Sequence, residues 1–314
     1  MKHSFLRLIS SFYILLISAL MIVISAYAWM VISDSPAAGG IGFGVAGLED
    51  WKIPEIFEPE YDYMDGVRLT AADVETFEKD ESGAYLIDSA EKFVALMQYV
   101  NGNTELQGNV RMLLQKHISL EDHEMEPVLD ASGAPLAVSW SASEWEPVEV
   151  SGYTGTGIVT IAVDEALLRE TDMETAYIKG LQKPLFAGGF AGASGIVVED
   201  ITIFASHIVS ENTLGAGAFI ECVDSMPDIV LRNCHLVNSK LVGGSADEYE
   251  YARVGGMIGW TSGYNNTNDG AVRTQILIDN CSVKNSELVG SSVGGIVGHS
   301  GANAWTYTLI QNCT

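Results

Sequence analysis

Two stretches of the chain, NCHLVNSKLVG at positions 233–243 and NCSVKNSELVG at positions 280–290, are copies of one another. Each copy is followed by a glycine box, VGGMIG at 254–259 and VGGIVG at 293–298, and a third copy opens with NCT at 312–314. A supersecondary unit that cannot bury its own apolar face becomes stable by stacking on copies of itself. The repeat therefore predicts a solenoid, a fold that usually provides an extended surface rather than a catalytic site.

A degenerate earlier copy begins near Asp200. Its alignment with the copy at 233–243 pairs Ser206 with Ser239, Ile208-Val209 with Leu241-Val242, and 217–220 with the glycine box. The spacing of the cysteines is uneven, 47 residues and then 32, because two polar insertions at 246–252 and 263–270 lengthen one copy. Insertions that spare the apolar positions belong on loops.

Within a copy, apolar residues alternate with polar ones, as in 276–283. Alternation over four to eight residues, broken by Gly, Asn and Ser, predicts short strands with tight corners, and a helical period of 3.6 is absent. Of the 32 glycines, 19 lie between Gly180 and Gly301, where we expect them at corners of positive φ. From about residue 180 onward the sequence predicts a mainly β fold, a parallel β-helix (β-solenoid).

An amphipathic helix is predicted upstream of the repeats. Ser89 is its expected N-cap, apolar residues follow at helical spacing, and the helix is expected to stop at Asn101-Gly102. Strands are predicted at 110–114 and 158–163. Because an open β-helix end exposes unpaired backbone, we expect this segment to form an N-terminal α/β cap.

The N-terminus has the pattern of an export leader. Lys2 and Arg7 precede an apolar run, and Ala26-Tyr27-Ala28 supplies a small-x-small cleavage site. The alternative is an uncleaved membrane anchor, since the apolar stretch is long enough to span a bilayer. The predicted organisation is a signal peptide at 1–28, an acidic linker at 29–80 in which Tyr61 and Tyr63 are available to dock, the cap and first coils at 81–190, and the repeats at 191–314, cut off at the C-terminus.

The charge of the chain limits its partners. The formal net charge is -25, and cleavage would remove two bases, giving -25 - 2 = -27. Such a surface repels nucleic acid and anionic lipid, so neither is an expected partner, and a membrane contact is expected only through the leader before cleavage.

Acidic pairs are the strongest candidates for chemistry, because parallel β-helices host glycan-cleaving enzymes with clustered carboxylates. They occur at Asp164-Glu165, at Asp172 with Glu174, and at Asp247-Glu248 with Glu250. Bases beside them are scarce, so we interpret them as solvated loop carboxylates. A calcium site in one of these loops is the alternative, although no spacing matches a known ligand loop. The prediction is a non-enzyme without catalytic residues, cofactor or metal.

The cysteines occupy one repeat position. Cys234, Cys281 and Cys313 are expected to form a buried, reduced ladder, because strands one rung apart are about 4.8 Å from each other while a disulfide needs its β-carbons about 3.8 Å apart. The 47- and 32-residue spacings predict further rungs between them. Cys234 and His235 should point to opposite faces. Export normally favours disulfides, and Cys222 with Cys234 is then the first pair to consider.

The chain resembles the bacterial surface proteins that carry the GLUG motif. The resemblance rests on both glycine boxes and on an upstream order comprising 85–93, 113–120, 145–148, 178–181 and 185–186. The leader, with Trp29 after Ala28, resembles those handled by the signal peptidase W type on biofilm and surface proteins of Gram-positive bacteria. The family's Gly-Thr-Phe-Asp-Gly-Asn-Gly turn is missing, so we expect the first coil to be irregular.

The resemblance implies an extracellular or cell-surface protein with an adhesion or matrix role, whose partner is a host or matrix glycan or protein. The alternative is a carbohydrate-active or carbohydrate-binding β-helix, with Trp260, Tyr264 and Trp305 as candidate sugar-stacking residues. The structural repeat positions are Gly255, Gly256, Gly259, Gly294, Gly295, Gly298, Asn233, Cys234, Asn280, Cys281 and Cys313.

We predict removal of the leader after Ala28, because the small-x-small site coincides with the end of the apolar run. N-terminal sequencing of secreted material should begin at Trp29. An intact Met1 in the membrane fraction would establish the anchor instead.

Overall fold

The structure, a computed structural model, describes residues 59–64, 69–102, 106–122, 128–129, 135–136, 156–186, 194–210, 215–224, 228–244, 253–262, 274–300 and 306–314. Its fold is mainly β, and its long sheets are parallel, as the sequence predicts at the level of fold class. The leader and both polar insertions lie outside the described residues. Within the described ranges, no helix is long and apolar enough to cross a bilayer.

Strands are numbered along the chain. Two long parallel sheets run through the described part. Sheet 1 has six strands, in the order β1 (Tyr61–Met64), β4 (His117–Asp122), β8 (Ala176–Lys179), β10 (Ile201–Phe204), β15 (His235–Val237) and β20 (Ser282–Lys284). Sheet 2 has seven strands, in the order β2 (Tyr85–Ile87), β3 (Val110–Leu114), β7 (Ile158–Val163), β9 (Gly195–Glu199), β14 (Asp228–Arg232), β19 (Thr274–Asp279) and β24 (Thr306–Gln311).

Three short parallel sheets and one antiparallel pair complete the described strands. Sheet 3 contains β11 (His207–Ser210), β16 (Lys240–Gly243) and β21 (Glu287–Val289). Sheet 4 contains β12 (Ala216–Gly217), β17 (Arg253–Gly255) and β22 (Ser292–Gly294). Sheet 5 contains β13 (Ile220–Asp224), β18 (Ile258–Ser262) and β23 (Val297–Ser300), and the antiparallel pair is β5 (Val128–Leu129) with β6 (Pro135–Leu136).

The three repeats visit these sheets in the same order. Strands β10 to β14, β15 to β19 and β20 to β24 each pass through sheets 1, 3, 4, 5 and 2. Ile203 pairs with Leu236 in sheet 1, and Gly217 pairs with Gly255 in sheet 4. The sequence alignment of the degenerate copy is therefore confirmed strand by strand.

The apolar core follows the alternation of the strands. On one face of sheet 2, Ile196, Ile229 and Ile276 lie in register and are almost completely buried. The same holds for Val198, Leu231 and Ile278, two residues further along. Every repeat thus adds equivalent side chains to one continuous core.

The predicted helix forms at the expected residues. Helix α1 spans Ala90–Asn101, Ser89 Oγ accepts the Lys92 N–H at 3.3 Å, and Gly102 is the C-cap. Phe93, Leu96 and Val100 are fully buried, and Asn101 Nδ2 donates to the Leu185 carbonyl. The strands predicted at 110–114 and 158–163 also form with those bounds.

The described residues begin inside the predicted acidic linker. Strand β1 and a 3-10 helix, Ala71–Thr76, both lie between residues 59 and 80, and Met64 and Val74 are buried in the core. Tyr61 pairs with His117 at the edge of sheet 1, so it docks as the sequence allowed.

A second helix, α2 (Glu165–Thr171), was not predicted. Asp164 caps it, with Oδ1 accepting the Ala166 N–H at 2.9 Å, and Asp172 ends it in the left-handed region at φ 54°. Its seven residues are too short to show a helical period, and only Leu167 is buried. Helix α2 is therefore a short capped helix between β7 and β8.

His117 is buried between two tyrosines. Its ring centroid lies 6.5 Å from that of Tyr61 and 5.8 Å from that of Tyr177, both edge-on. The Tyr177 N–H donates to its Nδ1 at 3.1 Å, and its buried Nε2 has no hydrogen-bond partner among the described residues. Burial lowers the pKa of His117 from 6.5 to about 4, because the imidazolium would lose its hydration.

We expect His117 to make the stability of the fold dependent on pH. The unfolded chain protonates this side chain near its ordinary pKa of about 6.5, whereas the folded chain keeps it neutral down to about pH 4. The neutral His117 ring therefore makes its full contribution to the free energy of unfolding above its ordinary pKa. As the pH falls from about 6.5 to about 4, the free energy of unfolding decreases by up to about 3 kcal/mol. Urea unfolding should be compared between wild type and His117→Asn, whose amide oxygen still accepts the Tyr177 N–H.

The same comparison at pH values above the ordinary pKa provides the control, because His117 is neutral there in both the folded and the unfolded chain. A free-energy difference between wild type and His117→Asn that stays constant as the pH falls would contradict the assignment.

Candidate functional site

The corners of the repeats carry the repeated polar residues. Asp200, Asn233, Asn280 and Asn312 precede the sheet 1 position of their copies and have φ of 60°, 52°, 54° and 55°. A second set after sheet 1, Ala205, Asn238 and Asn285, has φ between 43° and 50°. Asparagine tolerates this left-handed region better than other side chains with a Cβ. The Asn positions of the motif are therefore backbone corners.

Side-chain amides connect these corners from copy to copy. Asn233 Nδ2 donates to Asp200 Oδ1 at 2.8 Å, and Asn280 Nδ2 donates to Asn233 Oδ1 at 3.0 Å. Asn312 Nδ2 departs from the series and donates to Asp279 Oδ1 at 2.9 Å. The pKa of Asp279 is lowered, first by this hydrogen bond. The corners thus form a hydrogen-bonded column along the stack of strands.

A serine column runs beside it. Ser239 Oγ accepts the Ser206 N–H at 3.0 Å, and Ser286 Oγ accepts the Ser239 N–H at 3.1 Å. Each hydroxyl also donates to the carbonyl two residues earlier at 2.9 Å. The sequence aligns these serines, but their mutual hydrogen bonds depend on the spacing between the copies.

The box glycines are required by close backbone approach. A Cβ on Gly255 would lie 2.1 Å from the Ile258 carbonyl oxygen and 2.3 Å from the Gly298 nitrogen, and a Cβ on Gly294 would lie 2.0 Å from the Val297 oxygen. None of the box glycines has a positive φ in the range that excludes other residues. Of the two reasons for which glycine is expected in the box, positive φ and close approach of neighbouring coils, the described box glycines thus fit the close approach, and asparagine, aspartate and alanine provide the positive-φ corners.

The remaining box glycines differ in their surroundings. A Cβ on Gly259 would lie 2.3 Å from the Ala216 nitrogen, and one on Gly298 would lie 2.5 Å from the Val254 carbonyl carbon. A Cβ on Gly256 would lie 2.4 Å from the Gly295 oxygen, whereas a Cβ on Gly295 would meet no atom within 4 Å. Gly295 is therefore a natural control for its neighbours.

A buried polar pair replaces two glycines in the earliest copy. The sheet register aligns Ser210 with Gly243 and Ile220 with Ile258, so Glu221 stands where the next copy has Gly259. Ser210 Oγ hydrogen-bonds to Glu221 Oε1, and both residues are buried. The alignment of the copies could have identified this pair from sequence, because Ser210 and Glu221 stand at two positions where the next copy has glycine.

Cys234, Cys281 and Cys313 lie at equivalent corners, each two residues after its sheet 2 strand ends. Cys234 Sγ lies 3.4 Å from the Val198 oxygen, and Cys281 Sγ lies 3.6 Å from the oxygen of Leu231, the register partner of Val198. Cys313 Sγ lies 3.6 Å from the Ile278 oxygen, the next in that row. Strand β15 pairs directly with β20, so the expectation of intervening rungs is wrong. The long spacing between Cys234 and Cys281 therefore does not come from a further strand of sheet 1 between β15 and β20.

None of the four cysteines, all of which lie in the described part of the chain, forms a disulfide, so the alternative Cys222–Cys234 bond is not present. Burial raises the pKa of Cys234, and a hydrogen bond with Cys234 lowers the pKa of Cys281. Cys313 is half-buried, and partial desolvation raises its pKa. The ladder is thus a chain of mutually interacting sulfur atoms.

His235 lies on the opposite face from Cys234, as strand alternation predicts. Cys234 is buried, whereas half-buried His235 hydrogen-bonds through Nδ1 to Ser282 Oγ at 2.8 Å and through Nε2 to Asn233 Oδ1 at 3.1 Å. Burial lowers the pKa of His235, which favours the neutral ring in this bridge. The two side chains do not share a ligand.

Of the three candidate sugar-stacking residues, Trp260 lies in the described part. It is half-buried in β18, and its register partners are Cys222 and His299. His299 is exposed, so an indole and an imidazole occupy neighbouring strands of sheet 5. Tyr264 and Trp305 lie outside the described residues.

The acidic pairs that the structure describes have structural partners. Asp164 caps helix α2, Glu165 forms an exposed ion pair with Arg169 at 3.7 Å, and Asp172 is the helix C-cap. The Glu174 carbonyl accepts a hydrogen bond from Asn233 Nδ2 at 3.2 Å. Within the described ranges, no group of three or more His, Cys, Asp or Glu side chains is arranged to hold a metal. Asp247, Glu248 and Glu250 lie outside those ranges.

Comparison with known proteins does not place this chain in a family. No protein-family model matches it, and neither a curated protein nor a solved structure does. A function has to be derived from the described residues and from the resemblance of the repeats.

We predict that the box glycines stabilise the fold through close packing alone. Gly255→Ala and Gly294→Ala each introduce a methyl group about where a backbone oxygen lies, and overpacking of this kind typically costs about 1 to 3 kcal/mol. Gly295→Ala has open space and should be nearly neutral. Thermal unfolding monitored by circular dichroism measures all three, and equal melting temperatures would refute the packing argument.

Proposed function

We propose that the repeats are successive coils of a parallel β-helix (β-solenoid). The identical sheet order of the three copies supports this proposal, as does their direct parallel pairing in all five sheets. The asparagine, serine and cysteine columns also fit it, because equivalent residues meet only when equivalent corners are stacked. Helix α1 acts as the N-terminal cap, packed among Met64, Val74 and the first strands of the core.

We propose further that the chain is a secreted or cell-surface protein with a non-catalytic adhesion or extracellular-matrix role, such as in a biofilm. The observation that carries the proposal is a continuous apolar row on the outer face of sheet 2. Val197, Val230, Leu277 and Leu309 are in register there, on the face opposite the core, and Leu309 is 41% exposed. A flat row repeated over four strands offers an extended lateral contact rather than a pocket.

Charged residues border this apolar row. Glu199, Arg232 and Asp279 form a parallel register row two residues further along, and Arg232 pairs with Glu199. Polar borders around an apolar centre are typical of protein interaction surfaces. With a net charge of -25, a host or matrix glycan or protein is the expected partner and nucleic acid is not.

The alternative is a carbohydrate-binding β-helix, and the neighbouring Trp260 and His299 in sheet 5 favour it. Aromatic rings with one apolar face stack on the apolar faces of sugar rings. This function requires binding to depend on Trp260 rather than on the outer row of sheet 2.

The two functions can be separated with beads coated with the chain lacking residues 1–28. We expect binding to isolated matrix or to cells, and we expect Leu277→Asn to weaken it because the substitution interrupts the apolar row. Gln275→Ala, an exposed change on the same strand, is the matched control and should leave binding unchanged.

Loss of binding in Trp260→Ala, together with binding of a soluble oligosaccharide, would support the carbohydrate alternative. Beads that bind neither matrix nor cells would contradict the adhesion role.

A further inference from the structure

The stacked cysteines present sulfur atoms at a regular interval. Cys234, Cys281 and Cys313 occupy the same position in three copies, and the Cys281 N–H lies 3.4 Å from Cys313 Sγ. Adjacent parallel strands are about 4.8 Å apart, and their side chains stand roughly perpendicular to the stacking direction. Each cysteine lies at the corner between its sheet 2 strand and the sheet 1 position of its copy, so equivalent sulfur atoms of neighbouring copies are expected about one strand spacing apart along the stack.

This spacing is too long for a disulfide, whose β-carbons lie about 3.8 Å apart. It fits another bonding arrangement. A thiolate–metal bond is about 2.3 Å long for zinc, so two collinear bonds of that order span about 4.6 Å. One ion placed midway between neighbouring sulfur atoms would bond to both without distorting the strands.

We propose that neighbouring thiols of this ladder bind one soft d10 cation, Cu(I), as a two-coordinate bis-thiolate site with Cys281 as the shared ligand. Cys313 is the expected second ligand, because it is half-buried whereas Cys234 and Cys281 are buried. Soft thiolates select Cu(I) over hard cations.

Ions that need more ligands are disfavoured at this position. Structural zinc takes four ligands, and the described residues contain no group of three or more ligating side chains arranged for a metal. The backbone oxygens around the ladder already accept from the thiols, as the 3.4 Å distance from Cys281 Sγ to the Asp279 oxygen illustrates. A two-coordinate ion requires only the two sulfur atoms.

Binding is an exchange of protons for the cation, with no change of oxidation state. Each of the two thiols releases one proton to solvent, two sulfur–copper bonds form, and one net negative charge remains beside half-buried Cys313.

The test is a titration of the reduced 314-residue chain with Cu(I) under anaerobic conditions, against a chromogenic Cu(I) chelator. We expect uptake of one equivalent, with copper X-ray absorption reporting two sulfur neighbours. Cys281→Ser should abolish that uptake because every neighbouring pair contains Cys281. Cys222→Ser, a buried thiol in β13 outside the ladder, is the matched control and should retain it.

Because Cys281 is buried, circular dichroism must first establish that its variant folds. Cys313→Ser tests the same pair at a half-buried position and should weaken affinity by about 10-fold to 100-fold or more. Full uptake by Cys313→Ser, equal loss in Cys222→Ser, or copper with three sulfur neighbours or with nitrogen or oxygen neighbours would overturn the proposal. So would the absence of competitive uptake by the wild-type chain. None of these outcomes depends on the adhesion role.

Discussion

In-register parallel pairing of the copies is the constraint on which the rest of the structure depends. Once Leu236 pairs with Val283 and Leu241 pairs with Leu288, each corner lies beside the same corner of the next copy. The side chain at a corner must then interact favourably with the same kind of side chain at the equivalent corner of the next copy. An amide satisfies this condition because it both donates and accepts, whereas a column of carboxylates would repel itself. Asp200 occupies a position where it accepts from Asn233 and needs no amide donor of its own.

The repeated motif divides two backbone tasks between two residue types. Asparagine supplies the left-handed corners on either side of sheet 1, and glycine allows the strands of sheets 4 and 5 to approach within the distance that a Cβ would occupy. The earliest copy handles the second task differently. Ser210 and Glu221 stand at two of its glycine positions, and the buried hydrogen bond between them pairs their polar atoms inside the fold.

The elements that could be predicted from sequence were those with local signals. Helix α1 was predicted with its bounds because Ser89 and Gly102 mark its ends and its apolar residues follow one face. Strand β1 and the 3-10 helix at 71–76 were missed, because their few apolar residues acquire a partner only when the core forms. Helix α2 was missed because seven residues cannot show a period. Trp260 was identified from sequence, but its neighbour His299 was not, since strand register alone brings them together.

The sequence by itself determined the copies, their alignment and the mainly β fold, because repetition and two-residue alternation are properties of the chain. It did not determine which copies pair directly with each other through their strands. The cysteine spacing predicted intervening rungs, yet the strands that flank these residues are direct neighbours, since β15 pairs with β20 and β19 pairs with β24. Only the tertiary structure decided that the glycines are needed for close approach rather than for φ, because a steric contact depends on both partners and a sequence position specifies only one.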